Sequence, residues 1–338
     1  MEFYYNLKNE IPIFANSNIK SSYKVVNRRH IRVKVMQSIY AMHQKGSIDI
    51  EKEEKFLFYS IDSIQDLYLI MLSSLIEICK KETIFLQKSS QKHLATPQER
   101  MPNEKFIKNS IFKILSDNNA LSNAFENRKI NNWILNDDYI LLLLSDIKKS
   151  KLYEKYMNTT INSFEEDKEF LIELFSEVIV TNEKLYDYLE DYKLTWIDDI
   201  PIVNTHIIKQ LRAIKSINDG GFKVPKLFKD NEDKDFVQDL FRKTILNEKE
   251  FSKEYANKTT NWDIDRIAEI DTIILKMAVC EFLKFPSIPV KVTLNEYLEL
   301  AKEYSTPKSS IFINGILDNI VKEFQADNRI IKAGRGLM

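Results

Sequence analysis

The chain has 338 residues and is 44% hydrophobic, enough apolar mass for one large core or two ordinary ones. Its 49 Lys and Arg stand against 50 Asp and Glu, a net charge of -1, which excludes a uniformly basic coat and confines any nucleic-acid site to a local patch. Only six glycines and eight prolines occur, too few turn residues for an ordinary sheet protein, so the class is all-α.

Residues 1–26 show no sustained period and are expected to form a poorly ordered lead-in. The start MEFYYNLKNE has acidic residues and no apolar core of a signal peptide, and the most apolar runs, 67–72 and 139–144, are too short to span a bilayer. A cytoplasmic protein without membrane contact is therefore expected. Cys79 and Cys280 fall inside apolar helical patterns and read as small buried hydrophobes of a reducing compartment.

A first helix is predicted over residues 27–46, capped by Asn27 and ended near Gly46. Ile31, Val35, Ile39 and Met42 make its buried stripe. Arg29, Arg32, Met36 and Tyr40 make an adjacent stripe that faces elsewhere. Arg28, Arg29 and Arg32 sit where cations oppose the helix dipole, so they call for an anion; the plainer alternative is a solvated basic helix start.

Residues 47–228 read as a charged helical stretch with one long helix over 53–81 and a loop over 88–104. Internal similarity runs through it. Residues 166–211 align without a gap on 232–277 at an offset of 66, placing Trp196 on Trp262 and Asp199 on Asp265. Trp133 lies 63 residues before Trp196, with Ile111-Phe112 matching Leu174-Phe175. Three successive helical hairpins are one reading, and chance agreement between amphipathic helices is the other. Gly220-Gly221 and Pro225 mark a boundary.

Residues 229–326 carry the densest pattern, followed by a flexible tail, 327–338. A helix over 267–285 is apolar on much of its circumference and stops at Pro286 and Pro289. Thr293 and Glu296 read as a capping box for the next helix. The last helix begins near Lys308 with a core stripe of Ile313, Ile316, Leu317, Ile320, Val321 and Phe324. Phe312 falls roughly 100° outside that stripe, free to stack on a base or to pack under the insertion. Gly315, mid-helix, suggests a close approach to the backbone.

No paired metal spacing, phosphate-binding glycine loop or nucleophile–base arrangement occurs, so no cofactor, no metal and no enzyme is expected. Asp271 lies among apolar positions beside Ile267, Ile274 and Leu275. It is either a well-placed first-turn acid or a contact for a basic partner.

Read together, Arg266-Ile267, Ile270-Asp271-x-x-Ile274-Leu275-Lys276-x-Ala278, Cys280-Glu281-Phe282, Pro289-Val290-Lys291-Val292 and Phe312-Ile313-Asn314-Gly315-Ile316-Leu317-Asp318 resemble the carboxy-terminal half of the NusB family of transcription antitermination factors. Arg28-Arg29-x-x-Arg32-x-x-x-Met36-Gln37-x-x-Tyr40 is similar to the family's first helix. The resemblance implies a NusB-like helical bundle enlarged by inserted hairpins. It further implies binding of boxA-like single-stranded RNA together with the ribosomal protein NusE, as part of a transcription elongation complex. It places RNA contacts at Arg28, Arg29 and Arg32, with Lys276, Lys308 and Phe312 extending the patch, and partner contacts at Tyr40, Asp265 and Asp271. Position 308 is often acidic in the family, so a lysine there is expected to favour RNA. A protein-interaction scaffold with little RNA binding is the competing reading. An RNA-modifying enzyme is a third, disfavoured by the lack of a cofactor-binding pattern.

Overall fold

The computed structural model describes residues 24–217, 222–256 and 267–333. The described residues form sixteen α-helices and no named strand. Lys24 and Lys226 make a parallel bridge, with Val25 N–H donating to the Lys226 carbonyl at 3.1 Å. No helix among these residues is long and apolar enough to cross a membrane.

Helix α1, Arg28–Gln44, begins as its sequence dictates: the Asn27 side chain accepts the His30 N–H at 2.9 Å. It ends before Gly46, whose φ of 61° is the left-handed conformation that favours glycine. Ile31, Val35 and Ile39 are fully buried, as their spacing requires. The second stripe does not face outward as expected. Arg32 and Met36 are buried with it, because α1 is covered on several sides. Helix α2, Ile50–Ser90, lies on one flank, and α12, Asn231–Leu246, and α14, Glu269–Lys284, lie on others. A 17-residue helix sequence apart from its partners is thereby made central.

Helix α2 has 41 residues and is about 60 Å long. It runs past the predicted loop start to Ser90, and Pro97 opens a short helix α3, Pro97–Arg100, capped by Thr96 and Glu99, instead of breaking one. Along α2 the elements recur. Helices α4 (Ser110–Ser116), α5 (Asn119–Arg128), a Trp133 turn α6 (Asn132–Leu135) and α7 (Asp137–Lys149) come first. After α8, Lys151–Asn158, follow α9 (Phe164–Leu174) with a π-turn to Ile179, α10 (Glu183–Tyr192), a Trp196 turn and α11 (Ile200–Ala213). Trp133 Nε1 donates to the Ile70 carbonyl and Trp196 Nε1 to the Ser63 carbonyl, each at 3.0 Å. The two acceptors are seven residues apart on one helix, two turns of α2. The third copy of the order, α12, α13 (Glu248–Ala256) and α14, has its Trp262 outside the described residues. So do Gly220, Gly221, Asp265 and Arg266.

The stretch 47–228 shares one continuous hydrophobic core with the rest of the described residues. Asp199, just after the Trp196 turn, is fully buried between His30 Nε2 at 2.6 Å and Lys34 Nζ at 2.7 Å on α1. Burial also fixes the cysteines: it pushes the Cys79 thiol up to about 11 and the Cys280 thiol up to about 12, so neither is a ready nucleophile.

Helices α15, Val290–Tyr304, and α16, Pro307–Ala326, close the bundle. Thr293 does not cap α15, which starts behind Pro289; its buried hydroxyl donates to Glu281 instead. Gly315 is exposed, and a Cβ there would meet nothing within 4 Å, so no close approach explains it.

His206 on α11 gives a pH-dependent prediction. It is buried edge-on to Tyr68, its Nε2 has no hydrogen-bond partner among the described residues, and burial, aided by Lys209, pushes its pKa from 6.5 down to about 4. The unfolded chain therefore takes up a proton near 6.5 that the folded chain refuses until about 4. Stability is full above 6.5 and is lost as pH falls toward 4, by about 3 kcal/mol. Urea unfolding at pH 4.5 and 7 should show this loss shrinking in His206→Gln; an unchanged loss would assign it to other groups.

Candidate nucleic-acid interface

The first turn of α1 contains no acidic residue, yet holds Arg28 and Arg29. They open onto a shallow cleft of about 460 Å³ with Asn27, Pro289, Val292 and Glu296 on its walls. Arg29 is about half exposed and forks onto Glu296, with Nε and Nη2 donating at 2.9 and 3.0 Å. Burial would raise the Glu296 pKa, but the hydrogen bond and charge of Arg29, with Arg32 behind, hold it below the usual carboxylate range. Arg28 is likewise part-exposed, and its Nε donates to Asp233 at 3.1 Å. Both cations can exchange a carboxylate for a phosphate without leaving the surface.

Arg32 cannot. It was expected to contact phosphate, but its side chain is only 3% exposed and forks onto fully buried Glu281 at 2.8 and 2.9 Å. Thr293 and Tyr297 hydroxyls complete the carboxylate at 2.8 and 3.2 Å. Burial lowers the pKa of Arg32, and Glu281 more than reverses the effect, so its net shift is upward and the ion pair is the resting state.

The remaining candidates do not gather at this cleft. Helix α14 runs antiparallel to α1, since Glu281 meets Arg32 while Glu269 meets His43. Helix α15 runs parallel to α1: Glu296 meets Arg29, and Tyr304 meets Asp198, which accepts from Gln37. Thr306 is ten residues beyond Glu296, so the start of α16 lies about 15 Å further along. Lys308 is exposed there with no partner among the described residues, and Glu299 and Glu303, both acting on Arg29, lie between. Lys276 is mostly covered and reaches Glu248 at 3.4 Å.

Phe312 is 8% exposed and belongs to the core, because α14 and α15 cover more of α16 than one stripe; Ile311, at 75%, is the residue left outside. Asp271 is also buried and accepts the Ser305 hydroxyl, so it presents no carboxylate to a partner. Tyr40 is 40% exposed on the outer face of α1. Asp265 lies outside the described residues.

Sequence reasoning picked out Arg28 and Arg29, which the structure leaves part-exposed, but missed Glu296, Glu281 and Asp233, which hold the arginines from positions more than 200 residues away. Their only local signal is the acid-free start of α1.

Comparison with known proteins adds the lineage. The NusB family model matches residues 212–322, which takes in α12 to α16 and not α1. The protein from Salinibacter ruber named transcription antitermination protein NusB is 42% identical over 112 residues, 33% of this chain and 70% of the relative. That of Chloroherpeton thalassium is 39% identical over 105 residues, 31% of this chain and 50% of the relative. That of Clostridium kluyveri is 42% identical over 93 residues, 28% of this chain and 60% of the relative. No solved structure matches. The matched segment carries the α14–α16 bundle that packs on α1 and fixes Glu281 and Glu296 around its arginines, and on these identities the chain belongs to the NusB family.

Proposed function

We propose that this protein is a transcription antitermination factor that binds boxA-like single-stranded RNA at the start of α1 and does so together with NusE. The observation that carries the reading is the open cleft in which Arg28 and Arg29 keep exposed side-chain surface, whereas Arg32, which also lines it, is almost wholly buried. The names of the relatives support the general role in antitermination. Tyr40, exposed at the other end of the same helix, is the residue through which NusE would be felt. Lys308 is a separate, weaker contact reached only by RNA that crosses the acidic flank of α15.

The test is RNA titration at several salt concentrations, with a scrambled RNA as control. Arg29→Ala should weaken binding and lower the salt slope by about 0.7, the value for one phosphate of a single strand. Arg32→Met should leave the slope of its folded fraction alone. Equal binding of boxA-like and scrambled RNA, with no change in slope for Arg29→Ala, would leave the scaffold reading standing. The protein acids already paired with Arg28 and Arg29 favour that second reading.

A further inference from the structure

The inserted repeats build a surface that the arginine cleft does not use. The rings of Tyr139, Tyr188, Tyr192 and Trp196 follow one another at centroid spacings of 4.7, 5.9 and 5.5 Å. Trp133 and Trp196 root the row, since each indole is tied to a carbonyl of α2. Both indoles are buried and hydrogen-bonded, so the base of the row is held in place. Its outer parts are not buried: Tyr192 is 55% exposed, Leu194 71% and Tyr59, across from it, 59%. Clustered exposure of this kind marks an interaction surface more than a scattered apolar residue does.

The row already holds a cation. Lys193 Nζ stands 4.7 Å from the Tyr59 ring centroid and 5.0 Å from that of Trp196. The surrounding charge is acidic. Helix α10, EKLYDYLEDY, has four acids and one lysine. Asp187 and Asp191 precede Tyr188 and Tyr192 by one residue, so they lie exposed on the adjacent face of α10, about 100° round from the ring row, and neither has a cation partner among the described residues. Such a face repels a phosphate backbone and attracts a positive chain. Alternate side chains of an extended chain are about 6.6 Å apart, near the 5.9 Å between the Tyr188 and Tyr192 rings.

We propose that this row is the docking site of an extended protein segment with arginine or lysine at alternate positions, its cations over the tyrosine faces and paired with Asp187 and Asp191. The test uses the full chain and a fluorescein-labelled peptide of alternating arginine and serine, read by anisotropy. Tyr192→Ala, at a mostly exposed position, should weaken binding about fivefold with an unchanged unfolding midpoint. Asp187→Lys with Asp191→Lys should weaken it about tenfold or more. Asp318→Lys, on the outer face of α16, should leave it unchanged and controls for bulk charge. No binding, or equal losses for Tyr192→Ala and Asp318→Lys, overturns the proposal. An oligouridine that binds tighter than the peptide and loses affinity in Tyr192→Ala overturns it too, in favour of a nucleic-acid site.

Discussion

Arg32→Met should destabilise the protein by about 3–5 kcal/mol, because it leaves the Glu281 carboxylate buried without its cation. Thr293 and Tyr297 still donate to that carboxylate, but two hydroxyls do not replace a forked guanidinium in a region that water does not reach. Arg32 also lies over the Phe236 and Tyr297 rings, 5.3 and 5.8 Å from their centroids, so its loss loosens packing as well as charge. Urea unfolding is the measurement. Arg32→Met with Glu281→Leu removes both charges and should recover much of the loss, since a buried pair often contributes little net stability over apolar groups of similar volume. A loss below about 1 kcal/mol in the single variant would mean that Glu281 finds water or a new partner. The same variant separates structure from binding: an arginine needed for RNA would change affinity and salt slope, whereas this one changes folding.

This difference shows how far the sequence could be read. The first helix was legible because its cap, its apolar spacing and its terminal glycine are local and agree with one another. So was the need for anions beside Arg28, Arg29 and Arg32, which follows from the helix dipole alone. What answers that need was not legible. Asp233, Glu281 and Glu296 reach the arginines only through tertiary packing, and nothing in their neighbourhoods distinguishes them from the other acids of a chain with 50. Phe312 was misread for a related reason. Helical spacing tells which residues share a face, but not how wide a face the neighbours will cover, and α16 is embraced by α13, α14 and α15. Asp271 was readable as an acid among apolar positions and does sit in the first turn of α14, but the loop hydroxyl of Ser305 that it accepts from was not readable. The recurrence of helix, helix, tryptophan turn and helix around Trp133 and Trp196 was readable from the 63-residue offset, whereas the common use of α2 as the acceptor for both tryptophans was not; at the 66-residue offset Trp262 lies outside the described residues.

Asp199→Asn should cost about 3–5 kcal/mol and loosen the contact between the insertion and α1. Asp199 is fully buried, and its two oxygens accept from His30 and Lys34, one helical turn apart on α1. Lys34 is 2% exposed, and among the described residues its other bond runs to the Thr195 carbonyl at 2.7 Å. The amide keeps the shape of the site and removes its charge, so the ammonium stays buried with neutral acceptors alone, which is the expensive half of a broken pair. Hydrogen exchange can locate the damage. Protection should fall first in α1 and in α11, the helix that Asp199 precedes, and less in α16, which touches neither residue of the pair. Lys34→Met in the Asp199→Leu background removes the stranded charge and should restore stability without restoring the hydrogen bonds. If exchange rises uniformly through the chain, Asp199 serves the global core and not the junction. If it rises in α1 and α11 while the Arg32–Glu281 side stays protected, the family bundle and its insertion are held to the same helix by two separable buried ion pairs.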